Sequence, residues 1–152
     1  MKKLLLLVLI PLISCNISTK TINVKEIDLY EYKNMHFVDV ILNNKKCRLL
    51  LDTGASKSLL DIGKADYYEF SSLLINKDKY FGLGGKKDVF IIYDYHVKPF
   101  HVAFLGTDLS EVTEFFNDHN IPVAGVLGID FLERNSSKID FKLNKIYLNQ
   151  DE

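Results

Sequence analysis

Cys47-Arg48-Leu49-Leu50-Leu51-Asp52-Thr53-Gly54-Ala55-Ser56-Lys57-Ser58-Leu59-Leu60 is the stretch whose reading decides the fold. Its three consecutive leucines fit a strand covered on both faces, and the run stops abruptly at a carboxylate, a hydroxyl and a glycine. An acid at the end of an apolar run is costly unless it is paired, hydrogen-bonded or neutralised, so the surroundings must be built to hold Asp52. Gly54 permits a sharp turn that brings backbone N–H groups toward the carboxylate, and Ser56 and Ser58 place short polar side chains nearby. Upstream, Met35 to Leu42 reads as a strand, Asn43-Asn44-Lys45-Lys46 as a turn and Cys47 to Leu51 as the returning strand. A hairpin therefore feeds Asp52 directly into its loop.

Two later segments carry comparable information. Tyr80-Phe81-Gly82-Leu83-Gly84-Gly85-Lys86-Lys87 is followed by the apolar run Val89 to Tyr93, which is hairpin chemistry with a bendable tip. It lacks the Gly-x-Gly-x-x-Gly and lysine-serine patterns of a phosphate cradle, and a plain surface hairpin is the alternative reading. Val123-Ala124-Gly125-Val126-Leu127-Gly128-Ile129-Asp130-Phe131-Leu132 is an apolar strand interrupted by two glycines and closed by an acid.

In this order, the Asp-Thr-Gly-Ala-Ser loop, the glycine-tipped hairpin and the Leu-Gly-Ile-Asp-Phe-Leu segment resemble the pepsin and retropepsin superfamily of aspartic proteases. The last segment has the form seen in bacterial single-domain retropepsin-like sequences, and the resemblance covers roughly residues 30 to 148. It implies a mostly β fold, a retropepsin-like closed β-barrel of one lobe with one or two short helices. It also implies that Asp52, Thr53 and Gly54 are the catalytic triplet, with Ala55, Leu83, Gly84 and Gly85 against the substrate. In the family, the apolar strand passes beneath the catalytic loop and its glycine lets two backbones approach closely. No metal and no organic cofactor enter the chemistry so implied. Asp130 is not followed by Thr-Gly, and its expected job is to cap a short helix from Phe131 to Asn135.

Aspartic proteolysis requires two carboxylates sharing one proton, one to activate water and the other to protonate the peptide carbonyl. Only Asp52 heads an Asp-Thr-Gly triplet, so the resemblance implies a homodimer with one Asp52 from each subunit, acting on a peptide or protein substrate. Terminal strands such as Ile146 to Leu148 are candidates for the self-complementary interface. A catalytically silent relative that binds peptides or envelope proteins in the same groove would carry the same features. So would a structural lipoprotein in which Asp52 only stabilises its loop.

The chain of 152 residues has room for one core, and its near-balanced charge of -1 with scattered basic residues argues against nucleic acid. Lys2 and Lys3 precede an apolar run from Leu4 to Ile13 that is too short to span a bilayer. Leu12-Ile13-Ser14-Cys15 resembles the lipobox of bacterial lipoproteins, which implies a signal peptide over 1–14 and a lipid on Cys15. An ordinary signal peptide cut elsewhere, or an uncleaved anchor, fits the same charge and length. On the lipoprotein reading, 15–21 is the lipidated N-terminus and tether, and 22–152 is the protease domain. The protein would then be membrane-attached in the bacterial cell envelope, facing the periplasm or the exterior.

Cys47 beside the leucine run reads as a buried thiol, with a nucleophile or an intermolecular disulfide as alternatives. His36, His96, His101 and His119 follow no metal-ligand spacing. Thr107 to Asn120 has helical periodicity through Leu109, Val112, Phe115 and Phe116, which are expected in the core, with Asp108 or Ser110 as cap and Pro122 beyond. Tyr95 to Leu105 reads as one or two strands broken near Pro99, and Ile139 to Leu148 as a closing hairpin.

Overall fold

In the computed structural model, which describes residues 23–82 and 85–150, the hairpin before Asp52 is β2 (Met35–Leu42) and β3 (Lys45–Leu51), paired from His36 opposite Leu51 to Leu42 opposite Lys45. Its turn residues Asn43 and Asn44 take φ of 45° and 64°, the left-handed backbone that a two-residue hairpin turn demands and asparagine tolerates. β1 (Asn23–Tyr32) serves two partners: Asn23 to Asp28 pair with β11 (Lys145–Gln150), and Leu29 to Tyr32 pair with β2.

Beyond the Asp52 loop comes β4 (Leu59–Asp61), a 3₁₀ turn Ile62–Lys64 and the four-residue α1 (Ala65–Tyr68). The long hairpin of β5 (Ser71–Gly82) and β6 (Gly85–Tyr93) begins nine residues earlier than its glycine-rich end, in a segment whose alternation is weak. The stretch read as one or two strands yields only β7 (Val97–Lys98) and the start of β8 (Leu105–Thr107), with Pro99 directly after β7. Next come α2 (Ser110–Asn117), β9 (Val123–Leu127), α3 (Ile129–Arg134) and the closing hairpin of β10 (Lys138–Asp140) with β11.

The strands form a single mixed sheet in the order β10-β11-β1-β2-β3-β9-β4-β8-β6-β5, with β7 added beside β2. The expected mostly β class stands, at 48% strand. Its ends, β10 and β5, do not pair, so the sheet is open where a closed barrel was expected: β6 lies between β8 and β5, leaving β5 as an edge. Among the described residues there are three helices rather than one or two, α1 being the addition. β11 is flanked by β1 and β10 through Lys145 to Tyr147, and Ile146 and Leu148 are buried within the chain's own core. That stretch of the terminal strand therefore has no free edge to lend to an interface. Among the described residues, no helix is long and apolar enough to cross a membrane.

The leucine run is covered on both faces, as read. Leu49 and Leu51 enter the main core with Val38, Val40, Leu42, Leu127 and Phe131, while Leu50 packs on a second cluster of Phe37, Phe116, Ile121 and Val123. Phe116 meets Phe37 edge-on at 5.2 Å between ring centroids, and full burial of such rings contributes about 1.5–3 kcal/mol each. Phe115, expected beside it in the core, is half exposed, because the helix turns only one face to the sheet. The N-cap is Leu109, without a side-chain cap bond, rather than Asp108 or Ser110: the helix begins at Ser110 itself, and Asp108, one residue before the cap, accepts the Ser110 N–H on Oδ1 at 2.9 Å.

Asp61, at the end of β4, is a buried acid that the sequence reading did not single out. Its Oδ1 accepts the N–H groups of Gly63 (3.1 Å) and Leu109 (3.2 Å), and the Thr113 hydroxyl reaches Oδ2 at 3.2 Å. One carboxylate thus ties β4, the 3₁₀ turn and α2 together. Asp61→Ala leaves these donors without their acceptor and should lower stability by roughly 3 kcal/mol or more, whereas an exposed control such as Asp66→Ala should change it by less than about 0.5 kcal/mol. Urea unfolding monitored by circular dichroism measures the difference.

Candidate active site

β3 runs parallel to β9, with Leu49 opposite Gly125 and Leu51 opposite Leu127, and β4 runs antiparallel to the other edge of β9. The segment from β3 through Asp52 to β4 is therefore a wide hairpin with β9 inserted between its arms, and the loop from Asp52 to Ser58 arches over the end of β9.

Glycine is required where the arms close on β9. A Cβ at Gly125 would lie 2.2 Å from the Leu59 carbonyl oxygen, and one at Gly128 would lie 2.6 Å from the Lys57 carbonyl carbon and 2.8 Å from the Ala55 oxygen. The close backbone approach implied by the family resemblance is thus present at both glycines.

The loop continues the sheet's hydrogen-bonding past the strand ends. The Asp52 N–H donates to the Leu127 carbonyl at 3.0 Å, and the Ile129 N–H donates to the Ala55 carbonyl at 2.8 Å. Within the loop, the Gly54 N–H donates to Asp52 Oδ1 at 2.9 Å and the Ala55 N–H to the Asp52 carbonyl at 3.1 Å. Gly54 does what its position suggested, aiming a backbone donor at the carboxylate, and a Cβ there would stand 3.2 Å from Oδ1. Asp52 and Ala55 are half-buried, whereas Thr53 and Gly54 are exposed. The acid is held from behind and its loop tip is open to a partner or substrate.

The sequence reading missed the second clamp. Ser58, fully buried, donates from Oγ to Asp130 Oδ1 at 2.7 Å and accepts the Gly128 N–H at 3.0 Å. Asp130 was expected to cap a helix from Phe131. Instead the helix starts one residue before Asp130, its N-cap is Gly128 with no side-chain bond, and the Asp130 carboxylate is spent on Ser58. No local pattern announces this pairing, because the partners are 72 residues apart.

Of the remaining expected site residues, Leu83 and Gly84 lie outside the described residues, as does Cys15. Gly85 opens β6 opposite Gly82, at the end of the long hairpin. Cys47 is buried among the core leucines, and burial pushes its thiol up to about 12, so it is not a thiolate nucleophile at neutral pH. Among the described residues, no three His, Cys, Asp or Glu side chains gather to hold a metal.

Ser58→Ala strands the Gly128 N–H and removes a donor from Asp130. It should lower stability by about 1–3 kcal/mol in thermal or urea unfolding, and fast amide hydrogen exchange at Gly128 and Ile129 should accompany the loss.

No family model matches this chain, and no curated protein matches it in sequence. Among solved structures it is similar to a retropepsin-like aspartic protease from Rickettsia conorii, at 20% identity and a TM-score of 0.53, covering 84% of this chain and 92% of that one. It is also similar to the EIAV protease solved with the inhibitor HBY-793, at 19% identity and a TM-score of 0.52, covering 74% of this chain and 98% of that one. Likeness at this identity is a likeness of fold, and the chain has the retropepsin-like aspartic protease fold.

Proposed function

We propose that the protein is an aspartic-type endopeptidase that works as a symmetric homodimer, with Asp52 of each copy flanking one water. The observation that carries this reading is the clamped Asp-Thr-Gly loop, whose half-buried acid and exposed Thr53 and Gly54 sit on a rigid frame and face outward. Two carboxylates brought that close share a single proton. The ionised one takes a proton from water as it attacks the peptide carbonyl, and the protonated one donates to the carbonyl oxygen, so the pair exchanges roles in one step. In this scheme Thr53 braces the two loops across the axis, Gly54 and Ala55 keep the loop's shape, and Leu83, Gly84 and Gly85 cover the backbone of a bound peptide or protein.

One observation favours a second reading, a catalytically silent monomer that binds peptides or envelope proteins: β11 is already paired on both sides through Lys145 to Tyr147 within its own subunit. The two readings separate cleanly. Asp52→Asn keeps an oxygen for the Gly54 N–H and should leave the fold intact while cutting cleavage of an unfolded protein substrate by about 10³-fold or more. Equal cleavage by wild type and variant rules out the mechanism, and a strict monomer in sedimentation with bound peptide favours the silent reading.

We also propose that residues 1–14 are a signal peptide, that Cys15 carries the lipid, and that the short tether through 21 places the domain of 22–152 on a membrane of the bacterial cell envelope. Cys15→Ser should abolish incorporation of radiolabelled palmitate and move the protein out of the membrane fraction. Unchanged labelling excludes Cys15 as the acceptor.

A further inference from the structure

We propose that the outer side of the β2–β3 hairpin carries a second ligand site, separate from the Asp52 loop, for a small organic anion with a ring or apolar body. A cavity of about 640 Å³ lies there between β3, the 3₁₀ turn with α1, and the start of β9. That size is in the range of small-molecule sites. A neighbouring hollow of about 400 Å³ against β1 shares Asp39 and Arg48 with it, so the two adjoin across that pair. No residue of the Asp52 loop lines either one, and Arg48 precedes Asp52 by four residues, roughly 13 Å along an extended strand.

The charge lining the cavity is unbalanced. Lys46, Arg48 and Lys64 face it against the single carboxylate of Asp39, on a chain whose total formal charge is -1. Arg48 bonds Asp39 through Nε (2.6 Å) and Nη2 (2.8 Å), and its guanidinium lies 4.6 Å from the Tyr30 ring centroid. The guanidinium is thereby fixed in plane before any ligand arrives. Lys46 Nζ lies 2.9 Å from Asp39 Oδ2, the oxygen that also accepts from Arg48 Nη2. Among the described residues, Lys64 has no carboxylate within ion-pair distance, unlike Lys45 nearby, which pairs with Glu69 at 2.8 Å.

The walls are equally fixed. Val123 and Ala124 supply a buried apolar floor, and Tyr67, which also lines the cavity, is 61% exposed although its ring packs edge-on against buried Tyr68. Asn43 Nδ2 donates to the carbonyls of Tyr68 (3.0 Å) and Glu69 (2.9 Å), riveting the α1 wall to the hairpin turn. A site with an exposed ring, an apolar floor and excess cations, already held in position, suits an anion whose carboxylate or phosphate meets Lys64, Lys46 and Arg48 while its body covers Tyr67 and the floor.

The test titrates the full chain with phenyl phosphate, with neutral benzamide as control, followed by calorimetry and by amide chemical shifts. The expected result is saturable one-site binding of phenyl phosphate with shifts at Gly63 to Tyr68 and Val123 to Ala124, none centred on Asp52 to Ser58, and no saturable binding of benzamide. Because Lys46 is 70% exposed and Lys64 has no ion-pair partner among the described residues, the double variant K46Q/K64Q should fold normally and weaken binding by about tenfold or more, while Lys64→Arg retains it. Non-saturable binding, equal affinity in the double variant, or shifts centred on the Asp52 loop would overturn the proposal. None of these outcomes depends on peptidase activity, so this site and the reading of Asp52 stand or fall separately.

Discussion

The insertion of β9 between β3 and β4 is the constraint on which the rest of the structure depends. A hairpin whose arms are separated by a third strand cannot pair with itself, so its loop must find backbone partners on the intruding strand. It does so through the bond from the Asp52 N–H to Leu127 and the bond from the Ile129 N–H to Ala55. These bonds run in opposite directions and bracket the acid. The loop is thus an extension of the sheet ladder, and Asp52 inherits the positional precision of a strand although it stands on a turn.

Closeness is what makes this possible, and closeness is paid for in side-chain choice. Gly125 lets Leu59 approach, Gly128 lets Lys57 and Ala55 approach, and Ser58 is small enough to be fully buried while its one hydroxyl serves both Gly128 and Asp130. On the far side, Leu50 and Val123 join the cluster with Phe37 and Phe116, so α2 presses on the same strands from outside. Chemistry is withheld from the other reactive group of the region: Cys47, five residues before Asp52, is sealed in the core with its thiol held protonated.

What was legible in the sequence was local. The run of leucines ending in Asp-Thr-Gly, the asparagine turn, the glycine-spaced strand from Val123 and the closing hairpin each announce themselves through periodicity or turn chemistry within a dozen residues, and each is present. What was not legible was non-local or geometric. Asp130 looked like a cap because an acid beside a helical segment usually is one, and only the folded chain brings Ser58 to it. Asp61 drew no notice at all, because its partners Leu109 and Thr113 lie about fifty residues on. The open ends of the sheet escaped notice for a similar reason: whether β5 and β10 meet depends on the whole strand order, to which no single segment holds the key.

The same strand order limits how two copies could meet. Through Lys145 to Tyr147 the terminal strand is an interior member of the sheet, so an interface there would have to break existing ladder bonds before making new ones. The cheaper surface is the loop face itself. Thr53 and Gly54 are exposed, and Ile129, bonded to the loop through its N–H, keeps 39% of its surface uncovered although it is a large apolar side chain. On the proposed dimeric reading, a two-fold contact centred there would cover Ile129 and bring the two Asp52 loops toward the axis in one act, so that assembling the interface and completing the carboxylate pair would be the same event.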